Sequence, residues 1–397
     1  MKHKRQLKIL TVVGARPQFI KAAMVGRAIV RFNEKESGME IFEEIIHTGQ
    51  HYDESMSDIF FRDMGIPEPV LNLHINNAGH GEMTGRMLAD LEMEMIARRP
   101  NCVLVYGDTN STLAGALAAA KLHLPVAHVE AGLRSFNKKM PEEINRILTD
   151  HVSTILFCPT RTAIENLKNE GISSDSNDFG SRRDLPTVVH IGDVMYDAAI
   201  FFGRIAGKKS TILRELGVSS ENYLLATVHR AENTDHPGRL SNILSAFGKL
   251  EFPLIFPVHP RTRKKIDALL RQKPSAVQEN VRLIEPVSFL DMIKLEQHAR
   301  AILTDSGGVQ KEAYFHKVPC VTLREETEWT ETVEAGWNAL AGSDVEKIVA
   351  LTLSAKPGRE FDQYGDGRAS DRIVERLSAC FSVPPAGAEA DGKTINA

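Results

Sequence analysis

Apolar residues gather in short runs at 7–13, 41–47, 102–106, 125–129, 154–158 and 187–191, interrupted at a few polar positions such as Lys8 and Glu43-Glu44. They do so again at 223–228, 253–258, 281–284, 301–304 and 319–323. Runs of this length that are mostly apolar predict strands buried on both faces, the habit of parallel sheets. Between them lie stretches with helical period, among them 111–121, 142–151 and 239–249. Strand–helix alternation of this kind predicts an α/β class. There are too many strands for one comfortable sheet, so the pattern predicts two doubly wound, Rossmann-like domains.

A length of 397 residues suits two such domains. The expected linker lies at 190–200, with an N-terminal domain over 1–192 and a C-terminal domain over 193–367. A helix at 368–382 is expected to return to the first domain. The polar insert at 173–185 reads as a surface loop, and the Ala-, Gly- and Pro-rich stretch 383–397 as a flexible tail.

Composition adds limits. Hydrophobic content of 42% and charged content of 25% are those of an ordinary soluble enzyme, and a net charge of −4 gives no support for a nucleic-acid partner. The basic cluster 261–265 reads as a solvated helix face. Cys102, Cys158, Cys320 and Cys380 are far apart in the chain, as expected of reduced core residues in a cytoplasmic protein. The basic start leads into an apolar run too short for a signal peptide, and no stretch is long enough to span a membrane. Neither a metal-ligand cluster nor a GxGxxG fingerprint is visible, so no cofactor and no metal are expected.

Candidate chemistry gathers just after the strands, where parallel α/β sheets bind their ligands. The run ending at Thr304 opens through Asp305-Ser306-Gly307-Gly308 into a helix, an arrangement that makes an anion socket from backbone N–H groups and the helix dipole. Glu312, about one turn in, could accept hydrogen bonds from sugar hydroxyls. The first strand ends in Gly14-Ala15-Arg16-Pro17-Gln18, with Lys21 one turn further on, so Arg16 and Lys21 can face the crevice. Asp108 stands at the tip of the third run, where capping of the next helix is the competing explanation. Glu130 follows the fourth run among apolar neighbours, where desolvation raises a carboxyl toward acid/base range. Structural pairing of Glu130 with Arg134 is the alternative. On a helical wheel Glu142, Asn145, Arg146 and Thr149 share one face, opposite Ile144, Ile147 and Leu148. In the second half, His229-Arg230 at a strand tip suits a diphosphate, the guanidinium fork matching phosphate oxygens. Arg324 closes the run 319–323, beside the Ser-Gly-Gly turn.

Taken in order, GARPQFIK (14–21), TGQH (48–51), YGDTNST (106–112), HVEAGLRSF (128–136), MPEEINR (140–146), TVHRAEN (227–233), PVHP (257–260) and TDSGGVQKEA (304–313) cover nearly the whole chain. This series resembles the non-hydrolysing UDP-N-acetylglucosamine 2-epimerase family. The resemblance implies a glycosyltransferase-B type fold, an active site in the interdomain cleft, a UDP-sugar substrate and a homodimer. It implies inversion at C2 by elimination of UDP to a 2-acetamidoglucal and re-addition. Asp108, Glu130 and Glu142 carry over as acid/base carboxylates, and His229 with Arg16 and Lys21 as groups supporting substrate and leaving group. Ser306, Gly307, Gly308 and Glu312 carry over as UDP-binding, with Arg324 nearby. Arg134, Arg146 and Arg230 complete the expected substrate-binding set.

The chain departs from the family's commonest pattern. Gln18 stands where Arg-Pro-Glu is usual, Trp329 where Thr-Glu-Arg-Pro-Glu is usual, and Lys311 replaces an acidic residue. These variants resemble the branch that includes UDP-2,3-diacetamido-2,3-dideoxyglucuronate 2-epimerases, which leaves the substituents at C3 and C6 open. A retaining UDP-sugar glycosyltransferase and a catalytically silent UDP-sugar sensor are the readings from other classes.

Overall fold

The computed structural model describes residues 5–35, 38–50, 68–76, 78–173, 186–272 and 274–382. The expected surface loop, from residue 174 on, and the expected flexible tail lie outside them. The chain separates into two compact units, one of residues 1–197 with 363–397 and one of residues 198–362.

The first unit carries β1 (Arg5–Val13), β2 (Met39–His47), β3 (Leu71–Asn72), β4 (Cys102–Tyr106), β5 (Val126–Val129), β6 (Ile155–Cys158) and β7 (Thr187–His190). They form one parallel sheet in the order β3-β2-β1-β4-β5-β6-β7. The second unit carries β8 (Leu224–Thr227), β9 (Leu254–Pro257), β10 (Val281–Ile284), β11 (Ala301–Thr304), β12 (Cys320–Thr322) and β13 (Asn338–Leu340), in the order β10-β9-β8-β11-β12-β13. Both expected doubly wound sheets are therefore present, and both reverse strand order beside their first strand. That reversal lies between β1 and β4 in one unit and between β8 and β11 in the other. Such a point is where a crevice opens beyond the strand ends.

Apolar side chains explain the layers. Leu10, Val12, Val103 and Val105 pack against Ala114 and Ala118 of the helix Asn110–Lys121. That helix is built of small residues and approaches the sheet closely: a Cβ on Gly115 would lie 3.2 Å from Val105 and 3.3 Å from Val12. In the second unit Leu224, Ala226, Phe256 and Leu303 pack against Leu240, Leu244 and Phe247 of the helix Pro237–Gly248.

Several features differ from expectation. Strands β3 and β13 are short and carry no apolar run. The stretch expected as a linker is mostly helix, Val194–Lys209, and the divide between units falls inside it. The helix Ala369–Ser382 packs on the helix Arg16–Asn33 and against β1 and β2. Asp197 holds its start, accepting from the N–H groups of Ala369 and Ser370 and from the Ser370 hydroxyl.

The helix Pro141–Val152 is inverted relative to the helical wheel. Asn145, Arg146 and Thr149 are buried, whereas Ile144 and Leu148 are 45% and 46% exposed. The basic cluster is partly engaged, Arg261 and Lys265 both pairing with Asp235. All four cysteines are free and buried. No described helix is long and apolar enough to cross a membrane.

Candidate active site

Register sets the first half of the site. Val12 pairs with Val105 and Tyr106 with Val129, so the turns after β1, β4 and β5 lie side by side. Gln18 joins the first two. Its side-chain oxygen accepts from the N–H groups of Gly14 at 2.7 Å and Ala15 at 3.0 Å. Its amide nitrogen donates to the Tyr106 carbonyl at 2.6 Å and the Thr112 hydroxyl at 2.8 Å. A carboxylate could not donate either bond.

Thr109, not Asp108, caps the helix Asn110–Lys121, its hydroxyl accepting from the Thr112 N–H. Asp108 is left to face Arg146, whose Nη1 lies 2.6 Å from Asp108 Oδ2. Glu130 has φ of 76°, a left-handed conformation that costs a residue with a side chain on the order of 1 kcal/mol. That backbone turns its carboxylate toward Lys21, with which it forms an ion pair. Gly107, also left-handed at φ 63°, leaves room: a Cβ there would lie 3.3 Å from Glu130 Oε2 and 3.6 Å from Lys21 Nζ.

Charges now crowd one another. Burial raises the Asp108 carboxyl above its ordinary value. The Arg146 guanidinium opposes that, Glu130 adds to it, Lys21 opposes it and Glu142 adds to it. Asp108, Glu130 and Glu142 thus belong to one electrostatic cluster with Lys21 and Arg146. Glu142 itself is exposed at the start of its helix. Its neighbour Glu143 is the buried one, accepting from the Ser135 and Phe136 N–H groups and from Arg146. Glu143 therefore braces Arg146 against Asp108.

Arg134 stands apart from that cluster. Its guanidinium is buried, with Nη1 on Asp150 Oδ2 at 2.7 Å and Nε and Nη2 forked onto Glu170 at 2.7 Å each. A side chain so fully engaged holds the protein together and does not join the carboxylate cluster. Arg16 begins the helix Arg16–Asn33 and is half-buried at the strand tip.

The second unit forms its own cluster around Asp305, which has no exposure. Its carboxylate accepts from the N–H of His229 at 3.1 Å, from that of Arg230 at 3.1 Å and from the Asn233 amide at 3.1 Å. The loop after β8 is thereby tied to the tip of β11. The His229 ring is half exposed, with Nδ1 3.3 Å from Asp305. Burial lowers the His229 pKa, Asp305 opposes this, and the nearby Arg230 and His259 lower it further. Ser306 caps the helix Gly307–Phe315. Gly307 leaves room for the Glu328 carboxylate, since a Cβ there would meet Glu328 Oε1 at 2.2 Å, while Gly308 is exposed. Glu312 is half-buried on the same helix. Arg324 is buried and pairs with Glu328 at 3.0 Å. Lys311, also buried, sits 3.9 Å above the ring of Trp329, so two of the unusual residues form one cation–π contact.

Gln18, Glu143 and Asp305 were not anticipated as organisers of these turns. In the sequence Gln18 shows only as a departure from the commonest pattern, and Asp305 only as part of the socket. Their bonds join segments far apart in the chain, which a local motif does not display.

Two doubly wound units, each with charged and glycine residues at its switch point, define a protein of the glycosyltransferase-B class of fold. The family model for UDP-N-acetylglucosamine 2-epimerase matches residues 34–378, and the chain belongs to that family. Among its relatives is a UDP-N-acetylglucosamine 2-epimerase homolog of Methanococcus maripaludis, 53% identical over 94% of this chain and 99% of that protein. A UDP-2,3-diacetamido-2,3-dideoxy-D-glucuronate 2-epimerase of Pseudomonas aeruginosa is 51% identical over the same shares. The crystal structure of Methanocaldococcus jannaschii UDP-GlcNAc 2-epimerase in complex with UDP-GlcNAc and UDP superposes with a TM-score of 0.81. It is 40% identical and covers 94% of this chain and 99% of its own.

Proposed function

We propose that the protein is a non-hydrolysing UDP-sugar 2-epimerase that converts UDP-N-acetylglucosamine to UDP-N-acetylmannosamine. The observation that carries this reading is the carboxylate cluster: Asp108 raised by burial, beside Glu130 paired with Lys21, at the switch point of the first sheet. The C2 proton has no adjacent ring carbonyl to make it acidic. It is removed by a carboxylate as the C1–O bond breaks and UDP leaves with the electron pair, forming C1=C2 of a 2-acetamidoglucal. Return of UDP to C1 and of a proton to the opposite face of C2 gives the epimer. His229, Arg230 and the Ser306-Gly307-Gly308 turn serve the diphosphate, Arg16 supports it, and Glu312 the nucleoside. Arg146 and Lys21 hold the carboxylates in place.

A second sugar is favoured by a specific contact. In the second unit Lys311 over Trp329 replaces the usual acid and arginine, adding positive charge there, and in the first unit Gln18 removes a negative charge. A UDP-sugar bearing a C6 carboxylate and a 3-acetamido group fits that change, and so does the Pseudomonas relative.

The deciding experiment is incubation with UDP-N-acetylglucosamine in deuterated water, followed by proton NMR. Deuterium entering C2 as the manno epimer appears is expected. Free N-acetylmannosamine indicates the hydrolysing reaction instead. Absence of C2 exchange with both this sugar and the diacetamido-uronate overturns the epimerase reading.

A homodimer accords with the apolar residues left outside: Met93 and Ile96 on the helix His80–Arg98, and Ile144 and Leu148 on Pro141–Val152. A UDP-sugar substrate and four free thiols accord with the cytoplasm.

A further inference from the structure

The helix Pro141–Val152 turns Asn145 inward, and the reaction proposed above gives this residue no part. Asn145 is 5% exposed. Its Nδ2 lies 2.9 Å from the main-chain oxygen of Asp108 and 3.3 Å from Asn110 Oδ1. A carbonyl oxygen can only accept, so the atom facing Asp108 is the amide nitrogen at any pH. Its second proton points to the Asn110 oxygen. That turns the Asn110 nitrogen toward His80 Nδ1 at 3.2 Å and Met83 Sδ at 3.6 Å. The two amides thus have one arrangement, and it joins the helices Pro141–Val152, Asn110–Lys121 and His80–Arg98.

Asp108 has need of such a hold. Strand β4 ends at Tyr106, and the next helix begins at Asn110. The Gly107 N–H is bonded to the Val129 carbonyl at 3.0 Å, and Thr109 caps the helix. These bonds secure the residues on either side of Asp108, and neither of them uses an atom of Asp108 itself. Two consecutive residues of one helix do. Arg146 takes the carboxylate, with Nη1 2.6 Å from Oδ2, and Asn145 takes the carbonyl. A carboxylate gripped at one oxygen alone can pivot about that bond. With the main chain gripped as well, its direction is set.

We propose that Asn145 is a positioning residue for proton transfer at C2: its amide fixes the main chain of Asp108 while Arg146 aims the carboxylate. An amide neither takes nor gives a proton in such a reaction, so its role is one of placement. Its effect on turnover rests on the epimerase reading above; the hold on Asp108 does not.

Three measurements on the full chain test this. In wild-type protein labelled with 15N-asparagine, the Asn145 side-chain signals are assigned from the backbone. Their protons are expected to exchange with water about 100-fold more slowly than those of an exposed asparagine. Exchange as fast as that of an exposed amide overturns the proposal, whichever sugar the enzyme uses. Asn145→Leu keeps the volume and loses the donor, and kcat for C2 exchange is expected to fall by about 10- to 100-fold. KM should stay within about threefold, because substrate binding is not what is lost. Wild-type kcat in the folded variant overturns the proposal. Thr149→Ala loosens the same buried face one turn further along the helix. It should unfold at lower urea yet keep kcat within about twofold of wild type. A loss of kcat equal to that of Asn145→Leu would assign the effect to the helix as a whole and overturn the role of Asn145. Should Asn145→Leu not fold, Asn145→Ala takes its place, and the exchange measurement needs no variant. Should the wild type turn over neither sugar, the epimerase reading fails, and exchange of the Asn145 amide still decides whether Asp108 is held.

Discussion

Lys21, one turn into the helix after β1, forms an ion pair with Glu130 at the tip of β5. The two side chains are 5% and 12% exposed, so the pair is largely withdrawn from solvent. An ammonium in that place holds the carboxylate in one orientation, and it can compensate charge as a proton moves. Glu130→Gln is expected to abolish deuterium entry at C2 while UDP binding, measured by calorimetry, is largely kept. Wild-type exchange in that variant would sink the assignment of Glu130.

Lys21→Met removes the cation and leaves Glu130 beside Asp108 without its counter-charge. The expected result is a loss of about 100-fold in kcat, the scale of one misplaced acid/base group. Stopped-assay NMR at saturating substrate measures it. A change confined to KM would assign Lys21 to binding instead.

Asp305 holds the His229 loop by three donors. Asp305→Ala leaves buried N–H groups unsatisfied, at a cost of about 1–3 kcal/mol. The loop is then free to move, and UDP affinity is expected to fall by about 10-fold or more, the equivalent of about 1.4 kcal/mol. Titration calorimetry with UDP reads this directly; unchanged affinity would show that the loop does not serve the diphosphate.

Gln18→Met keeps the volume and removes every bond of the amide. The N–H groups of Gly14 and Ala15 lose their partner in a buried place, while the Tyr106 carbonyl keeps the Thr112 hydroxyl. A loss of about 2–4 kcal/mol is expected from such orphaned groups, seen in urea unfolding of the full chain. A midpoint equal to wild type would contradict the role given to this residue.

Glu43 offers a test by pH. Burial pushes its carboxyl up to about 7, against an opposing hydrogen bond from the Thr11 hydroxyl. A folded-state value above the unfolded 4.5 means that the protonated form is the one the fold prefers. Its stabilising contribution is full below pH 4.5 and is lost as pH rises through about 7. Glu43→Gln is therefore expected to be more stable than wild type by about 1–3 kcal/mol at pH 8, the gain vanishing near pH 4. Melting curves of the two proteins across that range should diverge upward with pH; parallel curves would rule the effect out.

Much of the architecture was legible because buried parallel strands must be apolar on both faces. Val103 and Leu104, or Ile302, have only apolar neighbours inside their strands. Strand β13 escaped because it begins with Asn338, whose buried amide bonds Gln310 and Thr332. Asp108 and Glu130 were legible as strand-tip residues and Glu142 as part of a helix start, and the ordered motifs gave all three an expected role. What the wheel of Pro141–Val152 concealed is that a polar face can be the inner one when its partners are charged. Arg146 is buried because Asp108 and Glu143 wait for it, and those partners come from tertiary contact. The engagement of Arg134 was hidden for the same reason: Glu170, its forked partner, lies 36 residues further on.

The four thiols carry a practical consequence. Cys102 and Cys158 have no exposure, Cys320 has 3% and Cys380 has 4%, and burial raises each thiol away from the reactive thiolate. Native cysteines are thus expected to stay silent toward maleimides while the chain is folded. A cysteine introduced at exposed Phe136 or Leu353 would accept a spectroscopic label without a cysteine-free background being built first.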